Sequence, residues 1–444
     1  MPTLNQWLDD INADPVILID CYHTAGVRRI STQNFISSPT DLPPNTIWDG
    51  FLEGGLIISS AIGGNRQVGQ IEFVAVEGES SFSWTTWSAK IGDSAWNLSQ
   101  FFPLAAGVIE QSTRPAPAMM RLEFSDPSKT LQTPALTAKT GDILTPLVLG
   151  NVFNISPIVE DSATAKYRAS YLPCAISAVR DNGIPVAYAD HNNGSFTLAA
   201  NPVGQVTCDA VANTYDTMPT ACGYLSSLKN ISINSLINFG TLQASAKIGL
   251  YVTNSETVWD LINQLCESIG AIPSFNELGQ LDLVHIPHAG NAEITLTDDD
   301  IELDGFAQNS VIKPANLQLN YALNWTQQSN LIDDAAVLSP ALRERYSREY
   351  LQIDINNNAP NAEKQIINTL LVNQSDAQAE ATRRGILWAN QRETWRFNAL
   401  MNGLPVRLGQ RIASVIEDAL IKTGTVISWT KQPDQKSVEI EVLF

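Results

Sequence analysis

Short apolar or alternating runs dominate the first 150 residues, and alternation with a period of two is the pattern of half-buried β-strands. The runs are Pro15–Cys21, Val68–Val74 and Met119–Phe124, separated by clusters of glycine, proline and asparagine. One cluster, Gly63–Gly64–Asn65, predicts a turn before the second run. Strands punctuated in this way predict a barrel or sandwich and not βαβ units.

A second β segment follows, with strands predicted within Pro146–Asn154, Ser195–Leu198 and Gln205–Asp209. The triplet Asp181–Asn182–Gly183 predicts a tight hairpin, because an Asn-Gly pair readily adopts the positive φ angles of a two-residue turn. We therefore expect an all-β insertion in this part of the chain.

An amphipathic helix is predicted from Ser255 to Ile269, because its apolar residues recur at helical spacing and form one stripe. The stripe consists of Val258, Leu261, Ile262, Leu265 and Ile269. Ser255 is expected to cap the first turn, and Gly270 to take the left-handed conformation that ends the helix. Two strands, Ile272–Phe275 and Leu281–Ile286, complete a compact α+β module.

Another helix is predicted over Ser375–Gln391, where Ser375 and Gln378 match a capping box. The polar stretch Asp354–Glu363 ahead of it predicts a loop or linker. One face of the helix carries small residues and a single anchor, namely Ala377, Ala381, Gly385 and Trp388. The strands predicted after the helix are Glu393–Leu400, Arg411–Ile416, Gly424–Trp429 and Val438–Phe444.

Together these elements predict a β-rich α+β, multidomain fold. It consists of two barrel-like β domains, N- and C-terminal, with an intervening β segment and an α+β module. The predicted boundaries are 1–140, 141–212, 213–310 and 311–444, with the second helix near 375–391 in the last domain. A chain of 444 residues is long enough for two to four separately packed cores.

Composition describes a globular protein, since 44% of the residues are hydrophobic and 16% are charged. A net charge of −19 argues against a nucleic-acid reader, which needs a basic face for phosphates. The acidic charge fits either general solubility or a surface along which DNA slides without binding. No apolar run approaches the roughly 18 residues of a membrane span. The acidic N-terminus, Met1–Asp10, does not resemble a secretory signal.

The sequence contains no GxSxG, HExxH or Walker motif, so no enzyme class is indicated. Its four histidines are His23, His191, His285 and His288. The last two flank Pro287, which breaks a helix, and on a strand a spacing of three places them on opposite faces. We therefore predict no metal pair there.

Acidic residues cluster after the α+β module, in the order Asp298, Asp299, Asp300, Glu302 and Asp304 before Gly305. Oxygen donors on alternate residues before a glycine resemble part of a calcium loop. The bidentate acid that normally completes such a loop is missing. A calcium site and a solvated turn before a strand are the two interpretations.

Five dispersed cysteines, none in a CxxC pair, predict buried reduced thiols and not a disulfide framework. They are Cys21, Cys174, Cys208, Cys222 and Cys266. Iron–sulfur sites usually contain a closer pair than Cys208 and Cys222. Cys266 lies at the edge of a core stripe, so we do not predict that it is a nucleophile.

The ten tryptophans invite a carbohydrate-binding interpretation. Trp84 and Trp87 are three positions apart, which on a regular strand places them on opposite faces and not on a flat stacking platform. Packing in cores and interfaces is the alternative explanation.

The order of these segments resembles the baseplate hub, or tail hub, protein of long-tailed bacteriophages. Such hubs are related in architecture to contractile-tail hubs and type VI secretion spike bases. An N-terminal β domain that ends at Arg121–Pro127 is similar to the first barrel of tail hubs. Pro146–Pro157, Thr257–Ile262 with Gly279–Leu281, and Leu404–Ile412 are similar to later segments. The resemblance covers nearly the whole chain.

This resemblance implies a non-enzymatic homotrimer in the virion tail tip, assembled in the bacterial host cytoplasm. Two barrel-like domains per subunit would form a pseudo-sixfold ring that joins the distal tail protein ring to a central fibre or tail tip protein. The tape-measure protein and DNA would pass through its lumen without specific binding. The resemblance implies no catalytic residue. Some hubs of long-tailed phages carry an iron–sulfur cluster, but the cysteine spacing here leads us to predict no cofactor and no metal.

Other interpretations of the same sequence stay open. The chain could be a distal tail ring protein or the base of a receptor-binding fibre, although a simple ring protein would not need the α+β module. A cell-wall hydrolase and a glycan-binding or adhesion module are the remaining alternatives.

Overall fold

The computed structural model describes residues 4–8, 10, 13–52, 55–62, 67–76, 78–234, 243–286, 290–312, 315–329, 331–334, 336–357, 364–416 and 420–444. Within these residues the helices are α1 (Leu4–Leu8), α2 (Ser128–Leu131), α3 (Met218–Ser227), α4 (Val258–Ser268), α5 (Pro340–Ser347) and α6 (Gln374–Trp388).

The strands of the first half of the chain are β1 (Pro15–His23), β2 (Gly26–Ser31), β3 (Phe35–Ile36), β4 (Ile47–Trp48), β5 (Ile58–Ala61), β6 (Gln67–Val74), β7 (Trp84–Asp93), β8 (Phe102–Thr113), β9 (Met119–Ser125), β10 (Lys139–Thr140), β11 (Ile143–Leu144), β12 (Leu147–Ile155), β13 (Ile158–Asp161), β14 (Lys166–Arg168), β15 (Ala175–Asp181), β16 (Ile184–Pro185), β17 (Tyr188–Asp190), β18 (Ser195–Leu198) and β19 (Val206–Ala212). The later strands are β20 (Gly249–Val252), β21 (Ala271–Phe275), β22 (Leu281–His285), β23 (Ile294–Leu296), β24 (Ile301–Ile312), β25 (Asn316–Tyr321), β26 (Leu351–Ile355), β27 (Lys364–Asn368), β28 (Arg392–Ala399), β29 (Arg411–Ile416), β30 (Leu420–Gln432) and β31 (Ser437–Leu443).

The chain divides into two compact units, each drawn from non-consecutive segments. The first unit contains residues 1–130, 274–312 and 392–444, and the second contains residues 131–273 and 313–391. The division into four consecutive domains stays a prediction.

The first unit contains a 13-stranded sheet in which strands from distant parts of the sequence are neighbours. Its order is β2-β1-β7-β8-β9-β6-β5-β30-β31-β28-β24, with β29 beside β30 and β23 beside β29. The two halves of the sheet join where β5 pairs antiparallel with β30, so that Ser60 lies opposite Trp429. The predicted β-rich character is confirmed, and this sheet is large and curled.

Alternating burial in the strands places one shared core on one face of this sheet. In β9 the side chains of Met120, Leu122 and Phe124 point inward, and β31 follows the same alternation. Residues from both strands belong to one hydrophobic cluster, which also includes Trp87 and Trp429. The two halves of the sheet are therefore stabilised by the same buried surface.

In the second unit, two antiparallel sheets share a core. One sheet has the order β16-β15-β19-β12-β20 and the other β13-β14-β18-β17. Val152, Phe196 and Cys208 are among the residues that fill the core. The predicted hairpin is confirmed: Asn182 and Gly183 have φ angles of 50° and 79° and connect β15 to β16.

The structure confirms the apolar stripe predicted for helix α4, but its first turn is capped by Thr257 and not by Ser255. The Thr257 side chain accepts a hydrogen bond from the Asp260 amide. The amide of Ala135 donates to the Glu256 carbonyl at 2.9 Å. Because this pairing keeps the residues before Thr257 extended, the helix begins at Val258. It ends before Gly270, which has the predicted left-handed φ of 62°.

The predicted capping box of helix α6 is wrong, because Asn373 occupies the N-cap position. Asp376 is held by the Lys247 amide at 3.0 Å and by the Asn373 side chain at 3.1 Å, which fixes the start of the helix one residue before Ser375. The small-residue face is confirmed for Ala377, Ala381 and Gly385. This helix packs on β25 and β26 of a three-stranded sheet with the order β26-β25-β27.

Two predicted features fall wholly or partly outside the described residues, namely the Gly63–Gly64–Asn65 turn and the second half of the Asp354–Glu363 loop. Of the helices in the described part of the chain, none combines the length and apolar character needed to cross a bilayer.

Candidate functional site

The three histidines that the structure describes do not form a ligand set. His23 in β1 stacks on Phe82 with a ring separation of 4.2 Å, and its burial lowers its pKa. His191 is exposed and hydrogen-bonded to Thr197 at 3.0 Å, and His285 lies half-buried in β22. His288 lies outside the described residues. Among the side chains that the structure describes, no three histidine, cysteine, aspartate or glutamate groups lie close enough to share a metal ion.

The acidic cluster forms a short 3₁₀ turn, Asp298–Asp300, immediately before β24. The Asp300 carboxylate accepts hydrogen bonds from the Thr297 amide at 2.8 Å and from Asn402 Nδ2 at 2.6 Å. Partial burial acts to raise the pKa of Asp300, but these hydrogen bonds outweigh it and lower the pKa. This carboxylate therefore fixes the turn, which agrees with the interpretation as a solvated turn. The Asp304 side chain lies outside the described residues.

All five cysteines are buried with free thiols, as predicted. Burial raises the pKa of Cys174 to about 12 and that of Cys21 still further. Burial also raises the pKa of Cys266, and its neighbour Cys222 adds to the effect. Because the thiolate is the reactive form, Cys21, Cys174 and Cys266 are poor nucleophiles and poor metal ligands at neutral pH.

The prediction that Trp84 and Trp87 lie on opposite faces is wrong. In the pairing of β1 with β7, Cys21 lies opposite Trp87 and His23 opposite Trp84, so β7 contains one extra residue. This bulge shifts the alternation, and both tryptophans pack against the same core cluster. Trp87 stacks on Phe124 with a ring separation of 4.3 Å. The interpretation as core residues fits this arrangement.

One buried charge cluster was not predicted from the sequence. Glu380 in α6 is completely buried and accepts hydrogen bonds from Arg383 at 2.8 Å and from Arg384 at 2.5 Å. Arg384 also donates to the carbonyl of Glu267 in the last turn of α4. Positive charge is favourable at a helix C-terminus, so the cluster fixes α6 against α4. The spacing of Glu380 from the arginines, i+3 and i+4, was the available signal.

A second unpredicted cluster surrounds Arg180, which pairs with Asp209 across β15 and β19. One of its hydrogen bonds to this carboxylate measures 2.8 Å. Arg180 also lies 5.4 Å from the ring centre of Phe153, and Arg345 lies 4.3 Å from the same ring. The Phe153 ring stacks on Tyr346. Both arginines are held by neighbours, so the cluster anchors the α5 segment to the sheet and leaves no free cationic site in the part of it described.

Acidic charge is unevenly distributed between the two units. The first unit contains 28 of the 46 acidic residues and 14 of the 27 basic ones. Within it, residues 274–304 contain eight acidic residues and no lysine or arginine. This imbalance gives the first unit most of the net negative charge of the chain, and such a surface repels other polyanions.

No protein-family model matches the chain, and no curated protein matches it. Several solved structures are similar to it. The 43 kDa tail protein of prophage MuSo2 from Shewanella oneidensis has 8% identity and a TM-score of 0.45, over 96% of this chain and 98% of that chain. The tail protein from Neisseria meningitidis MC58 has 9% identity and a TM-score of 0.44, over 96% of each chain.

Prophage tail protein gp18 from Listeria monocytogenes EGD-e has 9% identity and a TM-score of 0.46, over 97% of this chain and 94% of that chain. Each of these three similar structures is that of a tail protein.

Proposed function

We propose that this chain is a structural component of a phage tail tip or baseplate, and that it acts there as a trimeric hub. It would join the distal tail ring to the central fibre or tip, within the virion. The proposal starts from the order of segments in the sequence, which resembles that of tail hubs over nearly the whole chain. It requires no reactive group, because the geometry of the assembled subunits performs the task.

The observation that carries the proposal is the pairing of β5 with β30 in the 13-stranded sheet. A pseudo-sixfold ring requires two barrel-like domains per subunit in a fixed relation. Strands β1, β2 and β5–β9 would supply one of these domains, and strands β23, β24 and β28–β31 the other. Because they share ladder hydrogen bonds and one core, they would move as a rigid pair.

The charge of the first unit supports a role as a channel wall. If this unit lines the lumen, its excess of acidic residues repels the phosphates of passing DNA. A wall that repels phosphates does not bind the DNA, so the DNA passes quickly. The tape-measure protein would pass through the same lumen before the DNA. The acidic stretch 274–304 makes this unit the better candidate for the lining.

The oligomeric mass of the purified protein tests this function. We expect a trimer by native mass spectrometry, either alone or after addition of the distal tail protein of the same phage, and a central hole in electron micrographs. A chain that stays monomeric under both conditions would contradict the hub. The acidic lining has its own test, which is the charge of the lumen wall in a reconstruction of the trimer. A strongly basic wall would exclude it.

A further inference from the structure

The β3–β4 hairpin of the first unit has one buried face and one solvent-exposed face. Phe35 pairs with Trp48, and Ile36 pairs with Ile47. Because side chains alternate along a strand, Phe35 and Trp48 point into a core while the two isoleucines point to solvent. Ile36 is 64% exposed and Ile47 is 57% exposed, and Leu42 in the connecting loop is 90% exposed. We call these three side chains the hairpin face.

Hydrogen bonds on its buried side hold the hairpin in place. Trp48 Nε1 donates to Asp20 Oδ1 at 2.8 Å. The carboxylate of Asp41 accepts hydrogen bonds from the Ser38 amide at 2.8 Å and the Leu98 amide at 3.0 Å. A surface fixed in this way loses little conformational entropy when a partner binds. The apolar side chains are therefore presented in one arrangement.

The hairpin face also lacks free charge. Residues 33–52 contain only two charged residues, Asp41 and Asp49. Asp41 is buried, and Asp49 forms an ion pair with Arg28. Residues 33–52 thus present an apolar area without an exposed, unpaired carboxylate, on a chain of net charge −19. A basic partner would be drawn to the acidic surfaces elsewhere, whereas two acidic copies approach each other at least cost through a neutral area.

We propose that the hairpin face is the centre of a contact with a second copy of this chain. The inference rests on the proposed function, in which identical subunits assemble. The three side chains present on the order of 300 Å² of apolar surface, a size at which patches on monomers are often functional. A stable interface buries about 800 Å² per partner, so the hairpin face is its central part and other residues form the rim.

The position of the hairpin supports the same partner. Asp49, next to β4, forms a parallel bridge with Ile30 in β2. Strand β2 is the terminal strand of the 13-stranded sheet. Backbone hydrogen bonds from Asp49 and Leu52 already cover part of the β2 edge. A second copy on the hairpin face therefore lies at this end of the sheet and extends that cover.

A double variant, Ile36→Ser with Ile47→Ser, tests the contact. Both side chains are exposed, so the variant should keep the thermal unfolding temperature of the wild type. Ile366→Ser is the matched control, because Ile366 in β27 of the second unit is 62% exposed. By sedimentation at several concentrations, we expect the wild type and the control to form trimers, and the double variant to dissociate at concentrations about tenfold higher or more.

The outcomes separate the two proposals. A double variant that assembles as tightly as the wild type overturns the hairpin contact and leaves the hub standing. A wild type that stays monomeric, alone and with the distal tail protein, overturns both. Photo-cross-linking from Ile47→benzoylphenylalanine supplies an independent measurement. A product of twice the chain mass supports the contact, whereas cross-linking only to the distal tail protein shows that another partner covers the face.

Discussion

Trp429 in β30 lies directly opposite Ser60 in β5, and this register joins two sets of strands that are far apart in the sequence. Trp429 is buried in the same cluster as Ile58 and Ile71 from the N-terminal set and Val442 from the C-terminal set. The two sets therefore share one core, and their stabilities should be linked.

Replacement of Trp429 with alanine should reduce the free energy of unfolding by about 3–5 kcal/mol, the usual cost of removing a buried tryptophan. Amide hydrogen exchange should become faster in β5 and β31 together, because the sheet opens as a unit. Leu400→Ala in the same unit is the control, since this side chain is 41% exposed and should cost much less. Faster exchange in β31 with no change in β5 would contradict a shared core.

Glu380→Gln should destabilise the protein by about 3–5 kcal/mol, because it leaves two largely buried guanidinium groups, Arg383 and Arg384, without their counter-charge. Chemical denaturation at pH 7 measures the loss. Glu344→Gln removes a comparable pair with Arg348 in an exposed setting and should cost below about 1 kcal/mol. Equal effects from the two substitutions would show that burial of Glu380 contributes nothing.

The difference between the wild type and Glu380→Gln should depend on pH. Burial acts to raise the pKa of Glu380, but the two arginines outweigh it and hold this pKa below the ordinary 4.5. Because the folded-state pKa is the lower one, the carboxylate stabilises the fold fully above the unfolded-state value, and this stability is lost as the pH falls through the folded-state value. Denaturation curves from pH 7 to pH 3 should show a constant gap near neutrality that narrows below about pH 4.5. A gap that widens on acidification would contradict this sign.

The five buried thiols should not react with Ellman's reagent at pH 8 until the protein unfolds. Burial shields all five thiols from the reagent, and the raised pKa values of Cys21, Cys174, Cys208 and Cys266 suppress their thiolate forms. The rate of labelling should therefore follow the rate of opening. Val203→Cys is a positive control, because position 203 is almost completely exposed. One equivalent of fast labelling in the wild type would show that a thiol is accessible in the folded state.

Strands and helices were readable from the sequence where a single period dominates. The alternation in β9 and β31 and the stripe of α4 follow from which side chains are buried. The order of apolar and polar residues along the sequence is enough to predict that burial. Helix caps were predicted less well. Ser255 is chemically a good cap, but the pairing of Glu256 with Ala135 keeps its neighbourhood extended, and no local pattern contains that contact.

The remaining features depend on contacts between distant residues. The bulge at Trp84 changes the face of one side chain without changing the composition of the strand. Glu380 looks like a residue on the solvated side of a helix, and only the packing of α6 and α4 buries it. The pairing of β5 with β30 has no signature at all, because any two strands with alternating faces are compatible partners.

The interleaved order of the 13-stranded sheet constrains how the protein is made. During translation the N-terminal strands emerge first, but β5 has no β30 beside it until residues 420–432 have left the ribosome. Residues 131–391, which contain the whole of the second unit, are synthesised before that point. The second unit can therefore fold during synthesis, whereas the sheet of the first unit stays incomplete until the last strands are made. During this interval the exposed edge of β5 is open to aggregation, and chaperones would protect it.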